Sequence, residues 1–280
     1  MVMVLALAAA LLYGGADFLG GAATRRAHVL SVAAVSATAG LSVLLIAALA
    51  SGDMLRPAGL AWGLSAGVIG GAGLIVFYIG LATGPMSVVA PVSGLVGTVL
   101  PVGVALTEGE RPGVLVYVGA VACVVAIVLA SSGGGPAAAP GRRVPVRAIG
   151  YGVGSGILFG LFFVFMRDGG ESGAFWPATV ARLGELIVAL AAIAVVRPGT
   201  RGAGRGPVLA AVAAGTIDAA ATLCYVAATR AGLFGLAVVL ASLYPGVTVL
   251  LARIVLGEKL RWAQRAGLVL AAFGILLVTV

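Results

Sequence analysis

The segment Leu106-Thr-Glu-Gly-Glu-Arg-Pro112 ends a long apolar run, and Ile254-Val-Leu-Gly-Glu-Lys-Leu260 ends another. Moving the chain by 148 positions places Gly109-Glu110-Arg111 on Gly257-Glu258-Lys259. The recurrence of this turn after two apolar runs predicts that the chain consists of two related halves.

The Gly-Glu turn has a structural explanation. Gly109 and Gly257 can adopt the left-handed conformation that ends a helix. Glu110 and Glu258 then favour the positive end of the next helix. Pro112 suits the first turn of that helix.

Composition places the whole chain in a membrane. Of 280 residues, 61% are apolar and 9% are charged, against about 25% charged in a soluble domain. An apolar helix of about twenty residues spans the hydrocarbon layer. We predict an all-α membrane protein of about ten transmembrane helices, near 3–22, 29–50, 58–82, 86–106, 113–131, 148–167, 175–196, 207–229, 233–255 and 262–280.

The spans divide into five and five. Residues 132–147 carry the Gly- and Pro-rich sequence of a linker. We predict one repeat over 1–131 and a second over 148–280. Since five is odd, the second repeat enters the membrane from the opposite side, which makes the repeat inverted. In secondary transporters with inverted repeats, the substrate site lies between the halves near the midplane.

Charged residues within the predicted spans are the strongest indication of a site: Asp17, Arg182, Glu185 and Asp218. Each costs about 2.5–3.5 kcal/mol near the bilayer centre, which indicates a partner or a cavity. Arg182 and Glu185 are three residues apart and could pair with each other. The carboxylates of Asp17 and Asp218 could be satisfied by one another, by Arg182, by a substrate amine or by a proton.

Aromatic residues follow the same helices and could line a pocket for an organic solute. Tyr13 lies one turn before Asp17, and Tyr225 lies seven residues after Asp218 on the same face. Tyr244 precedes Pro245 in the ninth span, where proline is expected to kink the helix.

Glycines recur every four residues in the third and sixth spans. This spacing places them on one helix face, where two backbones can approach closely. The two sets are Gly63, Gly67 and Gly71, and Gly152, Gly156 and Gly160.

Other function classes find little support. The net charge of +8 comes from arginines in the turns, which favours membrane orientation over nucleic-acid binding. Cys123 and Cys224 lie inside apolar runs and form no disulfide framework. His28 is the single histidine, and no catalytic or metal-binding set accompanies it. We expect no cofactor, no metal and no enzymatic activity.

Leu12-Tyr-Gly-Gly-Ala-Asp-Phe18, Ala241-Ser-Leu-Tyr-Pro245 and the two Gly-Glu turns resemble EamA-type transporters of the drug/metabolite transporter superfamily. The resemblance implies ten helices in two inverted repeats around a central cavity. It also implies export or exchange of amino acids, other metabolites or drugs. Asp17 stands where that family often has Asn.

Loop charges and the resemblance disagree about sidedness. Twelve Lys and Arg residues flank the odd-numbered loops and four flank the even ones, which places both termini outside. The resemblance implies both termini inside.

These observations predict a secondary transporter for a small amino acid, amine, other metabolite or drug. Asp17, Asp218, Arg182, Glu185 and the three tyrosines are expected to bind the solute or a coupling proton. We expect a monomer or homodimer, with several passes through lipid in the cell membrane, taken as a bacterial inner or plasma membrane. The alternatives are a lipid flippase of the same fold and an integral-membrane enzyme.

Overall fold

The computed structural model describes most of the chain. The described residues are 1–52, 54–84, 86–111, 113–131, 146–171, 173–198, 204–256, 262–263, 266–267, 269–270 and 273.

The described chain is helical throughout and contains no strand. Its helices are α1 (Val2–Thr24), α2 (Val29–Ser51), α3 (Pro57–Thr83), α4 (Met86–Thr107), α5 (Val114–Ser131), α6 (Val146–Glu171), α7 (Phe175–Val196), α8 (Arg205–Arg230), α9 (Phe234–Ala241) and α10 (Tyr244–Leu256).

The helix boundaries follow local sequence signals. Pro57 occupies the first turn of α3, where its missing N–H costs nothing. Gly52 ends α2 at a φ of +69°. The side chain of His28 accepts a hydrogen bond from the Leu30 N–H and so caps the start of α2. Gly109 follows α4 at a φ of +91°, which confirms the predicted left-handed turn.

The ninth predicted span is confirmed as one apolar segment, Phe234–Val255. It consists of two helices, since α9 ends at Ala241 and α10 begins at Tyr244. Pro245 cannot donate the backbone bond that would continue α9. Helix α6 begins at Val146, two residues before the predicted sixth span. Residues 132–145, the turn at 257–261 and most of the tenth span lie outside the described residues.

Eight segments of the described chain are long and apolar enough to cross a membrane, and α9 with α10 counts as one of them. Large apolar side chains are exposed around the bundle, including Val4 at 73%, Ile46 at 69% and Leu49 at 68%. A surface of this kind is stable against lipid rather than water. The chain is therefore a multi-pass membrane protein.

The helices before residue 132 pack mainly against those after residue 145. These contacts occur in corresponding pairs. The α1–α8 contact corresponds to α3–α6, the α3–α7 contact to α2–α8, and the α4–α6 contact to the contacts of α1 with α9 and α10. Each contact becomes its counterpart when α1 is exchanged with α6, α2 with α7, α3 with α8, and α4 with α9 and α10. The contact between α2 and α7 is its own counterpart under this exchange.

Glycine faces permit the closest of these crossings, as the four-residue spacing predicts. A side chain at Gly63, Gly67 or Gly71 of α3 would collide with the backbone of α7. Gly152, Gly156 and Gly160 of α6 lie in the same way against α4. The close α3–α7 contact fixes the position of the two charged residues on α7.

Candidate functional site

The four charged residues predicted as a site meet at one cavity, at the junction of both groups of helices. Its volume is about 50 Å³. Asp17 reaches it from α1, Arg182 and Glu185 from α7, and Asp218 from α8. Its wall consists of Tyr13, Asp17, Gly70, Leu74, Phe159, Phe162, Phe163, Arg182, Glu185, Asp218 and Tyr244.

Arg182 is the centre of the charge network and is only 3% exposed. Its Nη1 donates to Glu185 Oε2 at 2.7 Å and also forms an ion pair with the carboxylate of Asp218. The pairing of Arg182 with Glu185 confirms one of the alternatives that the sequence left open. The pair with Asp218 confirms another. One guanidinium therefore joins α7 to α8 and compensates two carboxylates.

Thr222 completes this network, and the sequence did not single it out. Its hydroxyl accepts from Arg182 Nη2 at 2.7 Å and from the Tyr13 hydroxyl at 3.2 Å. It also donates to the Asp218 carbonyl at 3.0 Å. The signal available in the sequence was its position, one helical turn after Asp218 on the same face.

The Asp17 carboxylate differs from the others. No hydrogen bond or ion pair joins it to any residue in the described part of the chain. It is partly exposed and lies on the cavity wall. Of the four charged residues predicted as a site, Asp17 is the one that has no partner among the described residues.

The chain matches the EamA-like transporter family over residues 1–132 and 146–280.

The chain belongs to the EamA-like transporter family.

This family is part of the drug/metabolite transporter superfamily, and its members are transporters of small-molecule solutes. No curated protein matches the chain. A solved structure titled "Crystal structure of protein" is similar at a TM-score of 0.73 and 20% identity. That similarity covers 100% of this chain and 98% of the other, and it shows the fold alone.

The three tyrosines of this EamA-family chain have different environments. Tyr13 and Tyr244 line the cavity, with their ring centroids 6.3 Å apart in an edge-to-face arrangement. Tyr225 does not line it, contrary to the prediction. Its ring is fully buried against Phe163, and its hydroxyl donates to the Phe163 carbonyl at 2.8 Å. Tyr225 therefore joins α8 to α6 behind the cavity wall.

The interruption between α9 and α10 positions Tyr244 at the cavity wall. Thr248, one turn later, hydrogen-bonds the Tyr244 carbonyl at 3.0 Å and the Gly14 carbonyl of α1 at 3.2 Å. A side chain at Gly14 would collide with Val247 and the Tyr244 carbonyl, so α1 and α10 touch through backbone. Discontinuous helices of this kind line the sites of many transporters.

Glu110 does occupy the positive end of a helix, but that helix is α9 rather than the predicted α5. Its carboxylate accepts from the Phe234 N–H at 2.7 Å and the Gly235 N–H at 2.9 Å. Nearby, Arg167 pairs with Glu108 and lies over the Phe234 ring at 4.6 Å. These contacts join α4, α6 and α9 away from the cavity. Glu258, the equivalent of Glu110, lies outside the described residues.

In the described ranges, no three His, Cys, Asp or Glu residues converge as metal ligands would. The cavity is lined by an arginine whose charge is compensated, a carboxylate without a partner among the described residues, and several aromatic rings.

Proposed function

We propose that this chain is a secondary transporter that moves a small organic solute by alternating access, in export or exchange. The observation that supports this proposal most strongly is the cavity between the two groups of helices, which is lined by four charged side chains. Charged groups inside a membrane span are costly, and they persist where they serve a pathway or a binding site.

The proposal includes two inverted five-helix repeats, over 1–131 and from residue 148 to 280. Three observations support it: the Gly-Glu turns offset by 148 positions, the contacts that exchange between the two groups of helices, and the family match in two segments. Related halves that pack by equivalent contacts can exchange conformations, which is the basis of alternating access.

The residue roles follow from the contacts. Arg182 pairs with Glu185 and Asp218 and hydrogen-bonds Thr222, so these residues join the interiors of α7 and α8. Asp17 is the group available to a solute or a coupling proton. Tyr13 and Tyr244 shape the wall. We place the protein in the cell membrane, as a multi-pass carrier that needs no cofactor and performs no chemical conversion.

The test is solute counterflow in sealed proteoliposomes, with a panel of labelled amino acids and amines and with protein-free vesicles as the blank. Saturable exchange of at least one solute is expected, and Asp17→Asn should reduce it. Asp168→Asn is the matched control, because that acid lies at the end of α6 outside the cavity wall.

Other outcomes identify the alternatives. Scrambling of fluorescent lipid without solute exchange would indicate a flippase. Conversion of a membrane-soluble compound in detergent, without a sealed compartment, would indicate an enzyme. Full transport at every pH by both Asp17→Asn and Asp218→Asn would contradict the residue roles.

A further inference from the structure

We propose that the cavity selects small protonated amines over amino acids and carboxylates, because Asp17 is unpaired while both terminal nitrogens of Arg182 are already engaged by the protein. This proposal rests on the transporter function above and names its substrate class.

The charge balance favours a cation. Three carboxylates, those of Asp17, Glu185 and Asp218, face one guanidinium, that of Arg182. Arg182 forms its ion pairs with two of them. The third is left without a compensating charge in a wall that is mostly apolar. A ligand that brings a positive charge removes this imbalance, whereas an anion increases it.

Arg182 cannot serve as the receptor for a carboxylate. Its Nη1 is shared by Glu185 and Asp218, and its Nη2 donates to Thr222 at 2.7 Å and to the Asp218 carbonyl at 3.3 Å. The Arg182 Nε is buried and unpaired, but it packs closely against Gly40 of α2, so that a side chain at position 40 would contact it. A zwitterion would have to break the network to place its carboxylate on this arginine.

Two polar groups remain unused on the other side of the cavity. One is the Asp17 carboxylate. The other is the hydroxyl of Tyr244, a residue only 4% exposed, which makes no hydrogen bond. Ser93 lies near that hydroxyl, and the Ser93 hydroxyl accepts a hydrogen bond from Ser155 at 2.9 Å. A carboxylate and a phenol oxygen are both acceptors for an ammonium N–H.

The remaining wall fits the body of a small amine. Phe159, Phe162 and Phe163 add three aromatic rings to those of Tyr13 and Tyr244. Aromatic faces attract cations and also cover alkyl groups. A volume of about 50 Å³ has room for about four waters at roughly 12 Å³ each. The described conformation therefore suits a compact alkylamine rather than a large drug.

The experiment compares three ligands that share a branched four-carbon unit and differ in the charged groups attached to it: isobutylamine, valine and isovalerate. They present a cation, a zwitterion and an anion respectively. Binding is measured by titration calorimetry on the full-length protein in detergent, at a pH where the amine is protonated. Isobutylamine should bind at least about tenfold more tightly than valine, with no detectable heat from isovalerate. The tenfold figure is the minimum effect expected of a charged hydrogen-bond partner.

Variants then locate the binding. Asp17→Asn should weaken isobutylamine binding by about tenfold or more, and Asp17→Glu should retain part of it. Tyr244→Phe should weaken it less. Asp168→Asn, outside the cavity wall, should bind as the wild type does.

Binding of valine as tight as that of isobutylamine, or isobutylamine binding that survives in Asp17→Asn, would overturn the substrate class. Counterflow separates this failure from failure of the transporter proposal. Exchange of valine without binding of isobutylamine would show that the protein is a carrier but that its proposed substrate class is wrong. Absence of exchange for every solute tested would overturn both.

Discussion

Replacing Arg182 with methionine tests whether the charge network is a single compensated unit. The substitution keeps an unbranched side chain of similar reach and removes the positive charge. Glu185, 6% exposed, and Asp218, whose side chain is 22% exposed, then lose their common cation. Removing one partner of a buried ion pair costs about 3–5 kcal/mol, because the remaining charge is uncompensated. We expect the free energy of unfolding to fall by about that amount.

The same reasoning predicts a rescue. Adding Glu185→Gln and Asp218→Asn to Arg182→Met removes the uncompensated charges. The triple variant should be more stable than Arg182→Met by about 2 kcal/mol or more. Arg230→Met is the control, because Arg230 is exposed at the end of α8 and its loss should change stability by no more than about 0.5 kcal/mol.

The assay is unfolding in mixed micelles of increasing dodecyl sulfate content, followed by circular dichroism of the helices. A loss below about 1 kcal/mol for Arg182→Met would refute the buried network, since that is the range of exposed pairs. A triple variant no more stable than the single variant would refute the charge-compensation argument.

Three further changes test the packing and the polar contacts. Gly67→Ala places a methyl group against the α7 backbone and should lower the unfolding temperature clearly, whereas Gly103→Ala, which meets nothing within 4 Å, should not. Equal temperatures in the two variants would contradict the close crossing. Glu110→Gln weakens the contact with two α9 amides and should cost about 1–2 kcal/mol in mixed micelles; an unchanged stability would argue against that cap. Thr222→Val removes the bonds to the arginine and to the cavity tyrosine and should reduce counterflow at unchanged expression, while Thr229→Val on the same helix loses one local bond and should not. Equal counterflow in both threonine variants would exclude the assigned role.

Local sequence signals account for most of the helices and their closest contacts. The apolar runs and the four-residue glycine spacing report on one helix at a time, so α3 and α6 could be predicted together with their packing faces. The intramembrane charges could be recognised because each is costly without a partner. The pair of Arg182 with Asp218 remained one of several alternatives, since the sequence does not show how α7 and α8 approach each other.

What the sequence could not provide depends on contacts between distant helices. The proline at 245 indicates a bend, but the two-residue turn between Ala241 and Tyr244, and the contact of α10 with α1 beside it, involve distant parts of the chain. Glu110 was predicted to lie at the start of a helix, and it does. The sequence suggested α5, the next helix along the chain, whereas the helix is α9. Tyr225 shares a face with Asp218, but the bulk of α6 separates it from the cavity.

The central claim is that this membrane protein carries a solute through a cavity in which Asp17 is the available charge. The most direct measurement is counterflow of labelled solutes in sealed proteoliposomes, for the wild type beside Asp17→Asn and Asp168→Asn. We expect saturable exchange by the wild type and by Asp168→Asn, with exchange strongly reduced in Asp17→Asn. Equal exchange by all three proteins would contradict the role of Asp17, and no exchange by folded wild type would contradict the carrier itself.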